Sequence, residues 1–296
     1  MSDATSSLGY SSGSRALFEG EYFWVHRAQL GDRIENGNIV RTAPGAKARI
    51  VYPNGDQINL GPGSSYRTSW KVGKSNPVQE QSPEWALRYG KIRGIVEKGG
   101  PRTSLRIKTR TAVMGVRGTD FYITERGQDE TTEVSILRGA VQVQPQGPKA
   151  KPITLETGYS AAIPVSKTEI KKQETAPIVE VRKTTQEQLH SIQKASSIPP
   201  STVPQAPPSS EVQQEVQRLE TKASQTVLAD IQKTDPKLYA NVTAKPKMTL
   251  EELNRASVLK VMETAPKAPA RTKPTLDELE KSNDDIYEKY FKPQDE

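Results

Sequence analysis

Cysteine is absent, which excludes disulfides, thiolate metal sites and cysteine nucleophiles. Histidine is nearly absent. His26 and His190 are the only two, too few for a His-rich metal centre, and any Ser-His-Asp site would have to use one of them. Apolar residues make up 33% and aromatics 6% of the 296 residues. A packed domain usually holds ~45–50% apolar residues on a count that includes Gly, so part of this chain is too polar to pack. No apolar run reaches the ~18 residues of a membrane span. The start, Met1-Ser2-Asp3-Ala4-Thr5, has no basic segment leading into an apolar stretch, so no signal peptide is read there. Glycine is missing from everything after Gly158, although the chain holds 20.

That last absence divides the chain. Residues 1–166 carry all the glycines, all three Trp (Trp24, Trp70, Trp85) and 22 Lys/Arg against 15 Asp/Glu. The later residues are neutral, polar and punctuated by proline. We read a flexible leader over 1–19, a β-domain over 20–165, a Pro-rich linker over 166–209, and short helical docking segments in a flexible tail over 210–296.

Short alternating runs separated by turn residues fill the first region. Ala48-Arg49-Ile50-Val51-Tyr52 leads through Pro53-Asn54-Gly55 to Gln57-Ile58-Asn59-Leu60. Asn-Gly supplies the positive φ that a tight hairpin needs. Ser104 to Lys108, Thr132 to Ile136 and Val141 to Gln144 alternate in the same way, and Ser160 to Pro164 makes a last strand. A strand and a turn every 8–12 residues predict a mainly β fold, an antiparallel sandwich or barrel-like stack. Pro83 to Tyr89 is the one stretch expected to be a short helix.

The order of motifs resembles a FecR-like domain. The front half carries Gly31-Asp32, Gly37-Asn38, Arg41-Thr42-Ala43-Pro44-Gly45-Ala46 and Asn54 to Leu60. The back half carries Gly115-Val116-Arg117-Gly118-Thr119-Asp120-Phe121, then Arg138-Gly139-Ala140-Val141-Gln142-Val143 and a closing Leu155-Glu156-Thr157-Gly158. The resemblance covers about residues 20–165. It implies an all-β, non-enzymatic, protein-binding domain outside the bacterial cytoplasmic membrane. The familiar members relay an outer-membrane transporter signal to a sigma factor and carry a cytoplasmic segment and one membrane helix before the domain. This sequence shows neither, so it looks like a free-standing member. Periplasmic location is expected, with a leader already removed and Met1 added; if Met1 is the native start, the expectation is cytoplasmic. The expected partner is another protein of the cell envelope, without a small-molecule substrate, a cofactor or a metal.

The heptad ending in Phe121 is not a phosphate loop, because Gly-Lys-Ser/Thr is lacking and strand-like Phe121-Tyr122-Ile123-Thr124 follows. Gly115 and Gly118 are expected to shape a turn or bulge, with Arg117 and Asp120 on either side of it pairing or bonding to nearby backbone groups, and Phe121 entering the core. Gly139 and Gly158 mark further turns, and Thr119 belongs to the same structural motif. Asp129-Glu130 sits in a loop, where carboxylates are solvated, so no catalytic constellation is read. Arg102, Arg106, Lys108 and Arg110 are the alternative site. On a strand Arg106, Lys108 and Arg110 share one face, and such a row could hold an anionic polymer, a cell-wall glycan or nucleic acid. No aromatics are interleaved with them.

In the later residues, five prolines over 196–209 read as a semi-rigid spacer. Val212, Val216, Leu219, Ala223 and Val227 give a narrow apolar stripe on a helix. Thr249-Leu250-Glu251-Glu252-Leu253 recurs as Thr275-Leu276-Asp277-Glu278-Leu279, each opening with a capping box. The second copy leads into Ile286, Tyr287, Tyr290 and Phe291. With Leu276 and Leu279 these are the expected partner-docking side chains.

Overall fold

The computed structural model describes residues 14–18, 21–25, 27–71, 82–97, 105–126, 131–165, 177–198, 208–244 and 248–267. β1 (Ser14–Phe18) and β2 (Glu21–Val25) form a hairpin by themselves. The other strands of the described residues build one curled, half-barrel sheet of thirteen strands. They are β3 (Ile39–Arg41), β4 (Ala48–Val51), β5 (Gln57–Leu60), β6 (Ser65–Lys71), β7 (Ser82–Ile95), β8 (Leu105–Lys108) and β9 (Ala112–Val116). β10 (Asp120–Arg126), β11 (Thr131–Arg138), β12 (Ala140–Pro145), β13 (Ile153–Glu156), β14 (Tyr159–Pro164) and β15 (Glu180–Lys183) complete it.

β7 belongs to both halves of the sheet. Its first half lies between β6 and β8, in the order β3-β6-β7-β8-β9-β12-β13. Its second half lies between β5 and β10, in the order β4-β5-β7-β10-β11-β14-β15. All pairs are antiparallel except β7 with β8, which corrects the all-antiparallel expectation. The two halves close on one core. Tyr66, Trp85, Leu87, Ile107, Met114 and Val143 come from the first, and Ile58, Leu60, Ile92, Phe121, Ile123 and Val134 from the second. The expected alternation is plain in β8, where Leu105 and Ile107 are buried and Arg106 and Lys108 exposed.

Pro83 to Tyr89 is strand, not helix. Glu, Ala, Leu and Arg favour helix only weakly, and tertiary pairing overrides such a preference. Trp85 and Leu87, two apart, are fully buried while Glu84, Ala86 and Arg88 are half-buried. Trp85 stacks on Tyr52 at 5.3 Å and meets Tyr66 edge-on at 6.4 Å, a geometry that strand pairing on both sides holds in place.

Among the described residues four helices follow the strands: α1 (Gln186–Ser196), α2 (Ser210–Thr234), α3 (Pro236–Thr243) and α4 (Leu250–Met262). Thr185 with Gln188, and Thr249 with Glu252, form full capping boxes, the second as the sequence suggests. The stretch expected to be linker thus contains a strand and a helix. β15 adds to β14, and Leu189 and Ile192, three apart, bury against Tyr122 and Leu137 of the sheet together with Val258 and Val261 of α4. In α2 the stripe is buried only in its second half, at Ala223 and Val227, and buried Ile231 extends it, while Val212, Val216 and Leu219 are half-buried. Val227, Ile231, Val242 and Leu253 cluster on Ile95 of β7. The helices over 186–262 therefore pack on the chain's own sheet, on the face opposite the main core. Among the described residues no helix is long and apolar enough to cross a membrane.

Candidate functional site: the motif turn and the polar latch beneath the helices

The turn between β9 and β10 holds the motif read from the sequence. Gly118 has φ +65°, where a side chain is strained. Gly139 has φ +83°, and a Cβ there would lie 2.7 Å from the Gly118 carbonyl oxygen, so this position also requires glycine. Gly158, at φ +84°, turns β13 into β14 and donates its N–H to Ile136 O at 2.8 Å. Gly115 is a correction: it is an ordinary, exposed residue of β9 with nothing near its absent side chain. Thr119 is buried, and its carbonyl accepts from Val96 N at 2.9 Å. Phe121 enters the core as expected, seated against Gly94 of β7, where any Cβ would run into the ring.

Asp120 does not pair with Arg117. Arg117 is exposed, and the partner of Asp120 is Arg93 of β7. Arg93 Nε and Nη2 donate to the two carboxylate oxygens at 2.8 and 2.7 Å, with 3% and 1% of the side chains exposed. The reason is register: Asp120 lies opposite Ile95 of β7 and Arg138 of β11, beside the bulge that separates it from Phe121. A bidentate guanidinium–carboxylate pair is among the strongest polar contacts a buried site can make.

Arg93 also reaches the helices, donating from Nη2 to Asn254 O of α4 at 2.6 Å. Asn254 Nδ2 in turn donates to Gln57 Oε1 of β5 at 3.0 Å. Arg138 meets Asp230 of α2 at 3.3 Å, both nearly buried, and Arg49 of β4 meets Glu251 of α4 at 2.5 Å. Lys47 donates from Nζ to the last carbonyls of α1, Lys194 O and Ser197 O, at 2.6 and 2.8 Å, a favourable place for a cation at a helix end. In its ionic contacts with the helices the sheet thus supplies the cations, while Asn254 of α4 donates to the sheet. None of Arg93, Asp230 and Asn254 was singled out by sequence reasoning. The one available signal was an arginine between Ile92 and Gly94-Ile95 in an otherwise apolar run.

A second buried polar cluster sits where β8 turns into β9. Thr132 Oγ1 lies between Thr111 Oγ1 at 2.6 Å and Thr109 Oγ1 at 2.9 Å, and its hydroxyl bonds the Glu125 carboxylate. Arg110 approaches Glu125 at 3.5 Å. Burial pushes the Glu125 carboxyl above its ordinary range, against the opposing pull of Thr132 and Arg110. Burial also pushes the Tyr122 hydroxyl up to about 12. A carboxyl raised in the folded state contributes stability that is complete below the unfolded pKa and is lost as pH rises through the folded one. Glu125→Gln keeps an acceptor for Thr132 and cannot ionise. It is expected to melt about 2–4 °C above the parent at pH 7–8 and level with it near pH 4. Thermal melts across that range check the sign; a gap that widens toward acid would refute it.

Arg106 and Lys108 point to solvent on the outer face of the first half-sheet, as the alternation predicted, with Glu84 opposite Arg106 on β7. Arg110 is instead engaged by Glu125 and by Arg126 O at 3.3 Å. Arg102 lies outside the described residues, as do Leu276, Leu279, Ile286, Tyr287, Tyr290 and Phe291.

Residues 38–142 match the family described as FecR protein, so the resemblance read from the motifs holds across that stretch. No curated protein matches the chain. Two crystal structures of a proposed anti-sigma factor from Parabacteroides distasonis, at 2.50 and 1.65 Å resolution, are similar at 16% identity with TM-scores of 0.37 and 0.36. In each the similarity covers 49% of this chain and 59% of that one.

Proposed function

We propose that this chain is a non-enzymatic, extracytoplasmic protein-binding module of FecR type, a scaffold or signalling accessory. The FecR match over residues 38–142 carries the reading. The family suggests a regulatory role, and two of the motif's side chains are occupied internally, Asp120 by Arg93 and Phe121 by the core. The partner is another protein of the envelope, the compartment is the periplasm, and the docking side chains are Leu276, Leu279, Ile286, Tyr287, Tyr290 and Phe291. Aromatic anchors of this kind cost more than about 2 kcal/mol when truncated.

The test compares the intact chain with one ending at Ser282, both exposed to an envelope fraction of the source organism. A protein held by the first and lost from the second, at equal melting temperature, is the expected result. An unchanged set of captured proteins would end the docking reading, and a lowered melting temperature would mean that the last residues pack on their own chain.

A second reading has one observation in its favour. Arg106 and Lys108 stand exposed and side by side on a strand face, a geometry suited to an anionic polymer. Such binding would weaken steeply between about 50 and 200 mM salt, whereas apolar docking would not.

A further inference from the structure

The sheet ends at β15. All four residues of this strand are exposed, and among the described residues β14 is the only strand paired with it. Its outer side therefore offers a row of backbone donors and acceptors, the feature through which sheets recruit another strand. The side chains there are also apolar to an unusual degree. Six large hydrophobic residues of the described chain are exposed, and three of them lie at this edge: Ile178 at 86%, Val181 at 50% and Tyr159 at 38%. The other three, Leu30, Tyr89 and Leu259, are scattered. The β13 edge of the other half-sheet differs: Leu155 is buried and Ile153 is half-buried.

The sequence of β15 is self-complementary in one register. Two copies of a strand related by a two-fold axis pair antiparallel, and residues directly opposite each other share a face of the sheet. The axis must then pass through a residue of like parity. Centred on Val181, it sets Val181 against the second copy's Val181 and places Glu180 opposite Arg182 twice. Centred on Arg182 it would oppose two arginines, and centred on Glu180 two glutamates. Arg182 is already held across the strand by Glu133 at 2.7 Å, and Glu180, 68% exposed, lies 3.6 Å away on the same strand. We propose that the protein associates with a second copy of itself through β15, in antiparallel register about Val181, joining the two curled sheets edge to edge. So short a pairing buries little surface, and the dimer is a weak, concentration-dependent one in the micromolar range.

The full chain contains no cysteine, so a single introduced thiol reports on one position. Directly opposed strand residues have Cβ atoms about 4.5–5.5 Å apart, close to the span of a disulfide. Val181→Cys is expected to form a linked dimer under mild oxidation, while Leu259→Cys, exposed on α4, stays monomeric. Sedimentation equilibrium supplies the second arm. Glu180→Arg and Arg182→Glu should each weaken dimerisation by about tenfold, and the double exchange should restore it to within about threefold of the parent. Thermal melts of each variant separate misfolding from lost pairing. The proposal is overturned if the parent is monomeric up to about 200 μM, as it would be were the edge reserved for a strand of another protein. It is equally overturned if Val181→Cys links no faster than Leu259→Cys, or if the double exchange dimerises no better than the single ones.

Discussion

Gly90→Ala is expected to cost about 3–5 kcal/mol, enough to remove cooperative folding of a marginally stable domain. β7 runs through both halves of the sheet, and Gly90 is where it passes from one to the other, at φ +94°. An alanine there would carry left-handed strain of about 1–2 kcal/mol. Its Cβ would also overlap the Ser64 backbone and lie 2.6 Å from Gly63 O. Ser64 cannot give way, because it fastens the bend: its Oγ accepts from Lys91 N at 2.8 Å and donates to Gly61 O at 2.8 Å. Gly115→Ala is the control. That position has ordinary strand geometry and open space, so the same substitution should change stability by no more than about 1 kcal/mol. Denaturant melts of the two variants side by side decide the matter. A Gly90→Ala midpoint equal to that of Gly115→Ala would show that the bend is not where the two halves are held together.

Much of the first half-sheet was legible because its inner and outer faces meet a core and water, so apolar and polar residues alternate as the pleat requires. β8 and β12 read directly, since Arg106, Lys108, Gln142 and Gln144 do face solvent. The second half has two covered faces, and there the same pattern misleads. Gln57, Asn59, Ser135 and Ser160 are buried, although alternation marks them as outward and solvated. What covers them arrives late in the chain, on α1, α2 and α4, and sequence pattern does not reveal a contact between residues such as Arg93 and Asn254, 161 positions apart. The face is polar because the helices are polar too, and it is completed by hydrogen bonds rather than by a broad apolar stripe. That is why a helical cover read as a tail. Trp85 misled for a related reason: its neighbours favour helix, and only pairing with β6 and β8 makes the stretch a strand.

Asp120→Ala is expected to destabilise the protein by about 3–5 kcal/mol, the usual cost of leaving one member of a buried ion pair without the other. Arg93 would keep its charge, because a guanidinium does not give up its proton in a protein. It would then be 3% exposed with only the Asn254 carbonyl still bonded to it. Three variants separate the contributions. Arg117→Ala, in the same turn but exposed, should lie within about 0.5 kcal/mol of the parent. Asn254→Ala leaves the carbonyl acceptor in place and removes only the link to Gln57, so it should cost about 1–3 kcal/mol. Replacing both charges together, Arg93→Met with Asp120→Leu, should recover part of what Asp120→Ala loses, because apolar groups of similar size need no partner. The effect should also extend beyond the sheet. Arg93 joins β7 to α4, so amide exchange over 250–262 should accelerate in Asp120→Ala more than exchange in β8 and β12, which lie in the other half. Equal acceleration everywhere would mean that Asp120 supports the sheet alone. Acceleration confined to α4 and its neighbours would mean that the motif turn also holds the helical cover in place.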